Sequence, residues 1–149
     1  MKKLIITTVL ALTVLGGAFA NNNETLKFKG SDKFSSAYPM ASNVKYKVTK
    51  DYTQVSFVVN GDVMTSFYSG DGNLIATSFH IALRKLPEAA LETIKDKYTP
   101  AGYRITEAIE MDHEDNGLNY YVTLTGKDKK VVLEISTEGN VSIFKSIKN

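Results

Sequence analysis

Val44, Tyr46 and Val48 alternate with Lys45, Lys47 and Thr49, and Val55, Phe57 and Val59 alternate with Gln54, Ser56 and Val58. A period of two, carried by β-branched and aromatic residues, marks a half-buried strand. Asn60-Gly61 supplies the two positive-φ positions that a tight hairpin needs. Val63, Thr65 and Phe67 carry the alternation onward, against Met64, Ser66 and Tyr68. The tip Ser69–Leu74 then turns the chain into a strand over Asn73–Ile81, because Gly and Asn tolerate the left-handed backbone of such turns. Four more strands are predicted: Tyr103–Met111, Leu118–Thr125, Lys130–Ser136 and Asn140–Ser146.

Two segments break the period of two. Ser31-Asp32 can cap a short helix, on which Phe34 and Tyr38 lie four apart on one face before Pro39 ends it. Leu86–Tyr98 carries Ala90, Leu91, Ile94 and Tyr98 at helical spacing. Pro87 suits the first turn of that helix, Glu88 and Glu92 its N-terminal half, and Lys95 and Lys97 its last turn. Pro100 and Gly102 stop it.

The two halves can be laid over each other. Phe34 and Tyr38 match Ile94 and Tyr98; Ser69, Gly72 and Asn73 match Ser136, Gly139 and Asn140. The expected fold class is therefore α+β: two pseudo-repeats, each a helix followed by about four antiparallel strands, with the helices packed on one sheet face. The repeats would span about 32–82 and 83–149 and share one core, because neither alone buries much surface.

Residues 1–20 stand outside this pattern. Lys2 and Lys3 precede the apolar run Leu4–Leu15, and Ala18-Phe19-Ala20 is a small-x-small cleavage signature before the polar Asn21-Asn22-Asn23. That is a secretory signal peptide, cut after Ala20, and the run is short for a membrane span. Residues 21–31 then form an N-terminal arm. Lys2 and Lys3 account for the whole formal charge of +2, so the exported chain is close to neutral. Neutrality gives no electrostatic case for nucleic acid or for an anionic membrane. With no Cys, disulfides, thiolate metal sites and Cys nucleophiles are excluded.

Several short motifs resemble a known family: Tyr38-Pro39-x-Ala41-x-x-Val44-x-Tyr46, Asp71-Gly72-Asn73-Leu74, Leu86-Pro87 and Tyr120-x-Val122-x-Leu124. They are similar to those of PepSY-like periplasmic proteins of bacteria, related in fold to beta-lactamase inhibitory protein. The resemblance runs from about Lys33 to Lys148. Tyr46 stands where that family often has Trp, so the aromatic character is kept. The resemblance implies a single exported, non-enzymatic helix-plus-sheet domain over residues 32–149, and only loosely implies inhibition or binding, since fold analogy does not carry function.

Catalytic chemistry is thin. His80 and His113 are the only histidines, no Gly-x-Ser-x-Gly is present and no phosphate or dinucleotide loop occurs. Asp112, His113, Glu114, Asp115 and Asn116 are the densest set of hard ligands, but they lack EF-hand spacing and read as a solvated loop. No catalytic, cofactor or metal residue is assigned, and no cofactor is implied.

One feature points outward. If Val55, Phe57, Phe67, Tyr120 and Leu124 face the helices, their alternates face away. Met64, Tyr68, Tyr121 and Val132 are then the candidate partner-binding residues, an apolar and aromatic patch of the kind that marks an interface. The leading expectation is an exported non-enzymatic binding module for an exported protein partner, an inhibitor of an enzyme or peptidase acting through a sheet face, with no membrane insertion after signal cleavage. The alternatives are a small exported hydrolase or metal-dependent enzyme, and a structural envelope scaffold.

Overall fold

The computed structural model describes residues 20, 21 and 28–148; the predicted signal peptide up to residue 19 and most of the N-terminal arm lie outside them. Nine strands follow one another: β1 (Ala20–Asn21), β2 (Ser42–Val48), β3 (Tyr52–Val59), β4 (Asp62–Ser69), β5 (Leu74–His80), β6 (Arg104–His113), β7 (Gly117–Thr125), β8 (Lys129–Ser136) and β9 (Val141–Lys148). Two α-helices, α1 (Ser31–Ala37) and α2 (Glu88–Lys97), interrupt them, with a 3-10 turn at Leu83–Lys85.

The expected fold class needs correcting. The chain does not form two helix-plus-four-strand repeats; its strands join one antiparallel sheet in chain order, to which two short helices are added. The reason lies in the connections. β3 and β4 are separated by two residues, and β6–β7 and β7–β8 by three each. Links that short place each strand beside its predecessor. The doubled Ser-x-x-Gly-Asn tip is real but local. In each copy the glycine N–H bonds the serine carbonyl, Gly72 to Ser69 and Gly139 to Ser136, both at 2.9 Å. The Ser69 and Ser136 hydroxyls accept the Asn73 and Asn140 N–H groups at 3.1 and 3.3 Å. The motif specifies a turn, and a sheet reuses good turns without being a repeat.

The chain divides into two compact units, Met1–Thr77 and Ser78–Asn149. In the first, α1 sets Phe34 against the sheet, its ring 4.9 Å from Phe57 in an edge-on arrangement. Phe28, just before the helix, lies 5.5 Å from both Tyr46 and Tyr68. These residues and Val55 form the core of the unit, with Met64 and Leu74 at its margin.

In the second unit, α2 buries Ala90 and Ile94 over Val122, Leu124, Val131, Leu133 and Ile135. Leu91 and Tyr98 pack at its rim, as their helical spacing predicts. The acidic run is shorter as a loop than expected, because β6 continues through Asp112 to His113, and only residues 114–116 turn the chain. Asp112 is exposed and His113 buried, as alternation along a strand requires. Among the described residues no helix is long and apolar enough to cross a membrane.

Candidate functional site

The four candidate residues do not make an exposed patch. Tyr68, Tyr121 and Val132 are 2, 1 and 2% exposed, and Met64 is half-buried. The expected exposure is corrected separately in each unit.

In the first unit the two-residue Asn60-Gly61 turn decides the matter. It pairs Phe57 with Met64 and Thr53 with Tyr68, and no bulge disturbs β3–β4. Residues directly opposite in an antiparallel pair share a face. Met64 and Tyr68 therefore sit on the helix-covered side with Phe57, and Phe67 turns to the other side with Gln54. The parity reverses at the turn because an odd position on β3 faces an even one on β4. Burial pushes the Tyr68 hydroxyl up to about 12.

In the second unit the parity holds. Tyr121 opposes Glu134 and Thr123 opposes Val132, so Tyr121 and Val132 share the face away from α2. That face is nonetheless closed around Ile109, Met111 and Tyr121, all buried. It holds a polar chain: Tyr121 Oη donates to Glu134 Oε1 at 3.0 Å and lies 3.5 Å from His113 Nε2. Burial and the Glu134 carboxylate raise the Tyr121 pKa, fixing the phenol as a neutral donor. Burial holds His113 below its ordinary value despite the opposing pull of Glu134 and Asp112. This arrangement pins a sheet face. Nearer the rim, Glu107 accepts from Thr123 Oγ1 at 3.2 Å and lies 3.8 Å from the exposed His80.

A pH effect follows. A His that is harder to protonate when folded leaves stability untouched above the ordinary value of 6.5. The unfolded chain gains the proton first, so stability falls as pH drops from 6.5 toward the lowered folded value. Urea midpoints at pH 7.5 and 5 are expected to show a smaller acid loss for His113→Gln than for the parent. An equal loss in both would show that His113 titrates freely.

An open surface does exist in the first unit, on the face turned away from α1. There β2 carries one extra residue, since the register passes from Ser42–Val58 to Lys45–Ser56. Asn43 adopts a left-handed φ of 51° inside that irregularity. Such a bulge bends the strand and re-aims its side chains. A groove of about 430 Å³ opens beside it, lined by Asn43, Lys45, Ser56, Phe57, Val58 and Val63. Val63 is 56% exposed and opposes Val58, and Lys45 opposes Ser56, so an apolar pair and a cation flank one opening. Sequence reasoning missed this place. Alternation identifies β2 and β3, but a single inserted residue leaves no mark on the hydrophobic pattern.

No protein-family model matches the sequence, and no curated protein matches it. Solved structures do. A BLIP-like protein from Bacteroides fragilis superposes with a TM-score of 0.68 at 19% identity, covering 83% of this chain and 89% of that one. The chain has a BLIP-like fold. A DUF2874 family protein from Bacteroides uniformis matches with a TM-score of 0.69 at 13% identity, over 83% of this chain and 89% of the other. A protein called periplasmic, from Bacteroides eggerthii, matches at 0.69 and 14% identity, over 84% and 90%. At these identities the likeness is one of fold; a PepSY-like assignment does not follow from it.

Proposed function

We propose that this chain is an exported, non-catalytic protein-binding module that engages its partner on the helix-free sheet face of the first unit. The observation that carries the reading is the groove beside the β2 bulge, where Val58 and Val63 lie next to Lys45. A partner that covers Val63 and offers a carboxylate to Lys45 would bury apolar surface and gain a charged hydrogen bond together. The signal-like residues 1–20 and the similarity to a Bacteroides protein called periplasmic support export.

The test is comparative capture from a cell-envelope extract with immobilised protein, parent against Val63→Asp/Lys45→Glu. Both residues are exposed, so thermal melts should coincide within about 0.5 kcal/mol. A protein retained by the parent is expected to be lost from the variant, with binding weakened by about 2 kcal/mol or more. Undiminished capture by the variant would remove the groove as the binding site.

A further inference from the structure

Strand β9 ends the sheet, and among the described residues only β8 pairs with it. Its outer edge carries a row of backbone donors and acceptors, a template for another extended chain. Apolar side chains lie on both of its faces. Ile143, opposite the buried Leu133, is 63% exposed, and Ile147, opposite Lys130, is also exposed. Here the helix-side core reaches the sheet edge without being covered.

The charge at this edge is one-sided. The start of β8 and the end of β9 hold Lys129, Lys130 and Lys148, and no acidic residue lies within residues 129–133 or 141–148. Lys129 and Lys148 are direct cross-strand partners. Like charges directly opposite each other destabilise a strand pair. Lysines on an edge also repel a second copy of the same strand and discourage neutral ones. What they admit is a strand of opposite charge.

We infer that β9 is a second docking surface, one that adds an acidic, extended peptide segment of a partner protein as a further antiparallel strand. The Phe144 bulge, where the register steps from Leu133–Ile143 to Val132–Lys145, leaves the Lys145–Lys148 run as the regular part of the edge. The peptide's backbone would pair with that run, its carboxylates would meet Lys129 and Lys148, and its apolar alternates would cover Ile147. Main-chain bonds supply affinity in this mode and the alternate side chains supply selection. The inference does not rest on the groove of the first unit.

The experiment uses a short fluorescent peptide alternating glutamate and valine, titrated with the full chain at low salt and followed by anisotropy. Saturable binding is expected. The same peptide with alternate backbone amides N-methylated keeps its charge but cannot add as a strand, and should bind at least about tenfold more weakly. Lys129→Glu or Lys148→Glu should each weaken binding by about tenfold. Each also turns the Lys129–Lys148 pair into an opposite-charge pair, so folding is retained or improved. Absence of saturable binding, equal binding of the N-methylated peptide, or equal binding by the folded Glu variants would each overturn the inference.

Discussion

Tyr68→Ala is expected to destabilise the chain by about 3–5 kcal/mol, the range for removing a buried aromatic ring. Tyr68 lies against Phe28 at 5.5 Å and belongs to the cluster under α1. Truncation would leave a void beside Phe28, whose other aromatic neighbours, Phe34 and Tyr46, are held by the helix and by β2. Tyr121→Ala should cost a similar amount, since that ring is equally buried and packs edge-on against Phe144 at 5.3 Å. The conservative changes separate packing from polarity. Tyr68→Phe should cost less than about 1.5 kcal/mol, the net worth of an ordinary hydrogen bond. Tyr121→Phe removes the bond to Glu134 and should cost about 1.5–3 kcal/mol, because its acceptor is a carboxylate. Urea denaturation of the four variants measures this. A Tyr68→Ala protein as stable as the parent would place the ring outside the core.

Gly72→Val is expected to cost about 3 kcal/mol or more, at the upper end of what a strained left-handed residue costs. Gly72 has φ of +80°, and a Cβ there would lie 2.7 Å from both the Gly30 nitrogen and the Lys29 carbonyl carbon. These are backbone atoms, so no side-chain rotation relieves the contact. The approach is reciprocal: a Cβ at Gly30, φ +100°, would meet the Gly72 oxygen at 2.9 Å. Two glycines thus let the β4–β5 tip rest on the turn that starts α1. Gly61 is the control. It has φ of +92°, yet a Cβ there meets nothing within 4 Å. Gly61→Val should therefore lose only the conformational part, about 1–3 kcal/mol. Denaturation midpoints compare the two, and equal losses would show that the Gly30–Gly72 contact carries no stability.

The same contrast marks what was legible in the residues. Each long strand is visible as a run of β-branched and aromatic residues between turn signals, although several bury both faces, as Phe67 beside Tyr68 and Tyr121 beside Val122 show. α2 is visible because Ala90 and Ile94 recur at helical spacing and are the residues it buries. The turn at Asn60-Gly61 is legible too, since Gly61 and Asn60 both take positive φ there. The candidate site was not. Assigning Tyr68 to the outer face required carrying one parity through a two-residue turn that reverses it. Tyr121 had the right face, but that face is buried, with Ile109 and Met111 beside it and Phe144 packed edge-on against the ring.

Local alternation and turn chemistry are properties of neighbouring residues, so the sequence by itself determined the strands, the two helices and the order of the hairpin tips. Which face is covered depends on atoms distant in the chain. Only the tertiary structure decided that Tyr68 lies under α1, that burial beside Tyr121 makes His113 harder to protonate, and that one extra residue in β2 opens a groove at Val63. Those outcomes turn on register and on what is packed above each face. A shift of a single residue in either changes them and leaves the hydrophobic pattern intact.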